Sequence, residues 1–191
     1  MKITFLMPSL KAGGAQRVII NIISRLISQK FQVNLILINY KGDLYDALPK
    51  EVSTIVLNKS RVRYSILQLY RIIKNERPDI VFSSLAHVNL IVLFLKKFLP
   101  NKIKFVVREA NTPSIIIKSK LMKFIYRNLY SSSDQIIAQS NIIEKELIQK
   151  FGINKNKISR INNPVDTKKI RSRINFFSRL TNDKPILILA S

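Results

Sequence analysis

Residues 3–27 read ITFLMPSLKAGGAQRVIINIISRLI, and a change of period within them decides the fold. Ile3 to Met7 is a short, almost unbroken apolar run. From Ala15 onward, Val18, Ile19, Ile22, Ile23, Leu26 and Ile27 recur at helical spacing, and Arg17, Asn21, Arg25 and Gln29 take the other side. The first pattern is that of a buried strand and the second that of an amphipathic helix. Between them sit Gly13 and Gly14, two of only four glycines in 191 residues. A glycine pair permits positive φ and close approach of backbone to a ligand. The helix it opens presents an N-terminal end that attracts anions such as phosphate. The spacing is neither GxGxxG nor GxxxxGK[ST], so neither the dinucleotide fingerprint nor the P-loop is present. Taken alone, the pair reads most simply as a plain turn.

The same alternation runs along the chain. Val33–Asn39 and Ser53–Asn58 read as strands, and Arg61 to Arg77 reads as a helix stopped by Pro78. Asp79–Ser84 is a strand with a helix through Lys97, and Ile103–Glu109 a strand followed by a helix over Lys118 to Ser132. Gln135–Ser140 is a strand, with a helix capped by Asn141 and ended by Gly152. Lys157–Pro164 is the last strand of the series. Strands alternating with helices give βαβ units, hence an α/β, doubly wound, Rossmann-like parallel sheet with helices on both faces. Ligands of such sheets lie at the carboxyl ends of the strands, which singles out the loops starting at Pro8, Ser83, Arg108, Ser140 and Asn163. Residues 1–166 form this domain. Residues 167–183 are polar and basic and read as a linker. Residues 184–191, KPILILAS, read either as the first strand of a second domain or as an edge strand of the same sheet.

Composition narrows the partners. Thirty-three Lys and Arg against eleven Asp and Glu give a formal charge of +22, which suits a polyanionic partner: nucleic acid, an anionic membrane or a phosphorylated substrate. There is no cysteine and one histidine, His87, which argues against disulfides and against a transition-metal site. The first residues do not form a signal peptide, because Pro8 and Lys11 interrupt the apolar run. The longest uncharged run, Ile80 to Leu95, is too short and too polar to span a bilayer.

Several segments resemble glycosyltransferase family 4 in sequence order. GGAQRVIINI resembles the family's Gly-Gly-Ala-Glu/Gln-Arg-Val segment after the first strand. RPDIVFSSLAHVN is similar to its Pro-Asp-Ile/Val-Val strand and loop. VVREANTP resembles its Ser-Glu-Arg-Asn-x-Pro-type loop, with Val107 in place of the family's residue before Arg108. DQIIAQSNIIEKEL and ISRINNPVDTKKI resemble the segments that lead to the domain boundary, and KPILILAS the first strand of a C-terminal domain. The resemblance implies the N-terminal, acceptor-side half of a GT-B fold. It implies a retaining enzyme that moves a sugar from a nucleotide-sugar donor to an acceptor hydroxyl, such as a lipid-linked saccharide of a bacterial envelope. No cofactor or metal is expected beyond the nucleotide-sugar co-substrate. Most of the nucleotide site would lie in a C-terminal domain, so these residues alone are expected to be inactive.

Sites follow from the chemistry of a departing diphosphate, which needs preorganised donors. Backbone N–H groups of Gly13, Gly14 and Ala15, with Gln16, form the expected donor-phosphate loop. Arg17 either assists or belongs to a solvated helix face. His87 is a candidate proton acceptor in a loop, or a packed or capping residue. Arg108 and Glu109 are catalytic candidates at a strand end, holding a phosphate or sugar oxygen and an acceptor hydroxyl respectively, or else a local ion pair. Asn89 and Asn111 are candidate acceptor-binding residues. Asn163, Pro164 and Asp166 read as hinge residues.

In the helix from Lys118, Leu121, Met122, Ile125 and Leu129 are expected to share one face. Lys120, Lys123 and Arg127 share the other, flanked by Phe124 and Tyr130. A basic stripe with aromatics suits an anionic membrane surface, and a cytoplasmic location at the inner face of the membrane, although a solvated face reads the same. The rival classes are a nucleic-acid-binding domain, for which no binding motif or aromatic platform is visible, and a non-catalytic subunit of a split transferase. No nucleic acid is expected as partner.

Overall fold

The computed structural model describes residues 1–164 and residue 171. The expected linker at 167–183 (Arg171 apart), the strand at 184–191 and the hinge candidate Asp166 lie outside the described residues. Seven parallel strands form one sheet in the order β3-β2-β1-β4-β5-β6-β7. They are β1 (Lys2–Met7), β2 (Gln32–Leu37), β3 (Ser53–Val56), β4 (Ile80–Ser84), β5 (Lys104–Glu109), β6 (Gln135–Ala138) and β7 (Ile158–Arg160). The helices are α1 (Gly14–Ser28), α2 (Ile66–Glu76), α3 (Ala86–Lys96), α4 (Pro113–Ile116), α5 (Lys120–Ser131) and α6 (Asn141–Gln149). The order of strands reverses between β1 and β4, the point at which such sheets open a crevice.

The strands are apolar on both faces because both are covered. Ile3, Phe5 and Met7 alternate with Leu6, and Val33, Leu35 and Leu37 alternate with Ile36, as the period of two requires. The odd-numbered set of β1 and β2 packs with Ile19, Ile20 and Ile23 of α1. Leu6 and Ile36 join the opposite core with side chains of α2, α3, α5 and α6. One polar atom of β1 is unmatched: the buried Thr4 hydroxyl has no hydrogen-bond partner among the described residues.

Several boundaries differ from expectation for physical reasons. The stretch expected as one helix from Arg61 opens with a 3-10 turn at Val62–Ser65 before α2 begins. Ser140, rather than Asn141, caps α6, because its hydroxyl accepts from the Ile143 N–H. Pro113, whose missing N–H suits a first helical position, starts a short α4 that the periodicity does not reveal. Gly152 does terminate its helix with positive φ.

The largest correction concerns α5. Its buried residues are Tyr126, Leu129 and Tyr130, so the helix is rotated from the Leu121–Met122–Ile125–Leu129 face. Tyr130 is fully buried and does not face a membrane. The cause is a carboxyl group at the tip of β5 that needs donors, described below. Leu121 is left 69% exposed and Phe124 65%.

Candidate functional site

All seven strands end at one edge, and the candidate residues divide there into an exposed rim and a buried support. The rim begins at the glycine pair. Gly13 is extended (φ −179°) and Gly14 is the first residue of α1. The positive φ that the pair permits is therefore not used. The two differ in space: a Cβ at Gly14 would meet nothing within 4 Å, whereas one at Gly13 would lie 2.6 Å from Oε1 of Gln16, whose side chain folds back over that residue. No side chain caps this helix, so its first N–H groups face an open surface, as an anion site requires. Arg17 is exposed on the first turn of α1.

The loop before the pair is fixed by a neighbour that sequence reasoning missed. The Leu10 N–H donates to the Lys41 carbonyl at 3.0 Å, the Leu44 N–H to the Leu10 carbonyl at 2.9 Å, and the Ala12 N–H to Asp43 Oδ2 at 3.2 Å. Gly42 makes this possible. Its φ is +81°, and a Cβ there would lie 2.4 Å from the Leu10 carbonyl carbon and the Lys11 nitrogen. The signal in the sequence was a lone glycine after the second strand.

At β4, Leu85 carries the chain into α3 with φ +84°. This conformation is strained in a branched residue, and such strain clusters at functional turns. His87 follows as the second residue of α3 rather than in a loop. It is exposed, yet partial burial of its ring lowers its pKa, which favours the neutral imidazole at pH 7.

Behind the rim lies the support, and here the structure corrects three expectations. Glu109 is fully buried. Its Oε2 accepts from the hydroxyls of Tyr126 at 2.8 Å and Tyr130 at 2.5 Å. Burial raises its pKa, and the two phenols and nearby N–H groups offset this only in part. It therefore does not meet an acceptor hydroxyl. Asn89 is also fully buried: it accepts from Ser83 Oγ and donates to the Arg108 carbonyl and Tyr130 Oη. Its polar atoms are occupied internally, which removes it from acceptor binding. Arg108 is 3% exposed. It donates to Ser84 Oγ at 3.0 Å, Gln139 Oε1 at 2.5 Å and Asn163 Oδ1 at 2.6 Å, so its guanidinium ties three strand ends to the Asn163 segment. Burial lowers its pKa and the Glu109 charge opposes this. Tyr126 and Tyr130, stacked with ring centroids 3.8 Å apart, are members of this support that sequence reasoning missed. Their i, i+4 spacing below a strand-end Glu was the available signal.

Asn111, Asn163 and Pro164 are exposed. Lys120 and Phe124 are exposed on α5. Arg127 lies over Gly152, and the Lys123 ammonium stands 5.7 Å from the Phe151 ring centroid. Among the described residues, no helix is long and apolar enough to cross a membrane, and no three His, Cys, Asp or Glu side chains gather where they could hold a metal ion.

An open helix N-terminus at the reversal point of a seven-stranded parallel sheet marks a Rossmann-like domain of the kind found in GT-B glycosyltransferases. The sequence profile of Glycosyltransferase Family 4 matches residues 12–169, and the chain belongs to that family. It is 29% identical over 175 residues to the N-acetylgalactosamine-N,N'-diacetylbacillosaminyl-diphospho-undecaprenol 4-alpha-N-acetylgalactosaminyltransferase of Campylobacter jejuni, covering 85% of this chain and 47% of that protein. The fold is similar to that of Anabaena HepE in complex with UDP (TM-score 0.66, 18% identity, 92% of this chain and 50% of that one). It is also similar to that of a glycosyltransferase from Rickettsia africae (TM-score 0.67, 20% identity, 95% and 50%). The chain thus spans about half the length of these relatives.

Proposed function

We propose that this chain forms the N-terminal, acceptor-side half of a retaining glycosyltransferase. Its donor is a nucleotide sugar bound mainly by a C-terminal domain, and its acceptor is a lipid-linked saccharide at the inner face of an anionic membrane. The single observation that carries the reading is the uncapped start of α1, open at Gly14. As the anomeric C–O bond to the diphosphate breaks, negative charge grows on the leaving oxygen, and the N–H groups of Gly14, Ala15 and Gln16 offer preorganised donors to it. The acceptor oxygen bonds to the anomeric carbon and gives up its proton, for which neutral His87 is the exposed base on this half. Asn111 supplies a sugar contact. Arg108 and Glu109 act as positioning residues, and Asn163 and Pro164 as the start of the hinge.

The acceptor class is supported by the name of the Campylobacter relative, whose substrate is a diphospho-undecaprenol. Membrane contact is supported by α4 and α5: Ile115, Ile116, Leu121, Met122, Phe124 and Ile125 are all exposed beside Lys118, Lys120 and Lys123. An apolar patch ringed by cations fits an anionic lipid surface. Without the nucleotide-binding half the chain transfers no sugar.

The test is sugar transfer by the complete enzyme carrying Gly14→Leu. The new side chain projects into open space, so folding is retained, while the approach of a diphosphate is blocked. Transfer should fall at least tenfold, about 1.4 kcal/mol of lost transition-state stabilisation. An unchanged rate in a folded variant would overturn the role of the loop.

A further inference from the structure

Two grooves, the first edged by two arginines, meet at His87. The first, of about 390 Å³, is lined by Asn39, Arg61, Arg63, His87 and Ile91 among others. The second, of about 380 Å³, runs between α3 and the α4–α5 segment; Ala86, Leu90, Ile116, Ile117 and Met122 line it beside the same histidine, with Lys118 and Ser119 at one side. Both volumes fall in the range of small-molecule sites, about 300–1,000 Å³. Among the described residues, no carboxylate lines either groove. Arg61 and Arg63 are exposed, and neither enters an ion pair among the described residues. The apolar groove, in turn, is continuous in sequence with the exposed Ile115, Leu121 and Ile125.

We infer that the two grooves form one site for a single-chain lipid diphosphate. The diphosphate head lies against Arg61 and Arg63, and the first apolar segment of the chain lies along Leu90, Ile116 and Met122, so that both pass beside His87 at the junction. This rests on the lipid-linked acceptor reading and specifies where such an acceptor enters. A guanidinium pair pairs well with phosphate oxygens, and a hydrocarbon segment is held by apolar area removed from water. A free nucleotide or inorganic phosphate would leave the apolar groove unfilled. A two-chain phospholipid would need more apolar volume than one groove provides. The tail leaves past α5, toward the face that carries the exposed apolar residues.

His87 is the only histidine in the sequence, so its imidazole signal in NMR reports the junction without ambiguity. The full chain, labelled at histidine, is titrated with farnesyl diphosphate, inorganic diphosphate and farnesol, each below its aggregation limit. Farnesyl diphosphate is expected to shift the His87 signal saturably and to bind at least tenfold tighter than inorganic diphosphate. Ile116→Glu, at a half-exposed position that folding tolerates, should reduce that advantage to less than threefold. Arg61→Ala with Arg63→Ala should weaken farnesyl diphosphate and inorganic diphosphate alike. Equal affinities for the two anions would overturn the inference, as would an advantage that survives both Ile116→Glu and Leu90→Arg. Binding is read without sugar transfer. A negative result therefore removes the lipid site and leaves the transferase reading standing, whereas loss of transfer with intact probe binding does the reverse.

Discussion

The substitution Glu109→Gln tests the buried support through its pH dependence. In the folded chain the Glu109 carboxyl has its pKa raised above the ordinary 4.5, chiefly by burial. A raised folded-state pKa means that the carboxyl's contribution to stability is complete below about pH 4.5 and is lost as pH rises through the folded-state value. The replacement amide does not titrate, and its carbonyl oxygen can still accept from the Tyr126 and Tyr130 hydroxyls that Glu109 Oε2 serves. Its NH2 group would face the Asn111 N–H, whose contact with Oε1 is already long at 3.4 Å, so the added cost is small and independent of pH. The variant should therefore gain on the wild type as pH rises. The limit is about 1.4 kcal/mol per pH unit, or at most about 2.7 kcal/mol between about pH 5 and about pH 7. Urea unfolding of both proteins across that range, at fixed ionic strength, gives the difference directly. A difference that is flat with pH, or a wild type that gains as pH rises, would refute the assignment of an unfavourable buried charge at Glu109.

Thr4→Val should stabilise the chain by about 1 kcal/mol, since the buried hydroxyl has no partner among the described residues and the shapes are nearly equal; a lower urea midpoint would show that the hydroxyl is matched. Gly42→Ala should cost more than about 3 kcal/mol, because positive φ and a contact with the Leu10–Lys11 backbone act together. Thermal unfolding checks this, and a near-native midpoint would mean that the loop relaxes freely. Lys118→Glu with Lys120→Glu should leave stability within about 0.5 kcal/mol. It should lower binding to vesicles containing anionic lipid by at least tenfold, at about 1 kcal/mol per cation near the surface. Vesicle sedimentation reads the outcome, and unchanged binding would remove α5 from the membrane face.

The sheet was legible because burial on both faces leaves strands as apolar runs and helices as 3.6-period stripes. Residues 3–27 carry that contrast in one stretch. The glycine pair was legible as an opening for a ligand, but its geometry was not, since composition cannot tell an extended glycine from a left-handed one. The support around Glu109 was misread for a different reason. Leu121, Met122 and Ile125 make the better apolar stripe, and hydropathy ranks them above two tyrosines. A buried carboxyl, however, must be met by donors, and that requirement comes from β5, in another part of the sequence. The Gly42 contact was hidden in the same way, because the partner that demands it is the backbone of Leu10 and Lys11.

The rotation of α5 has an evolutionary consequence. Cohesion of this helix with the core resides in three residues, Tyr126, Leu129 and Tyr130. Leu121, Phe124 and Ile125 contribute little to folding. Drift at these outer positions is therefore nearly free of stability cost, so the chemistry of this exposed face can change without compensating mutations in the core.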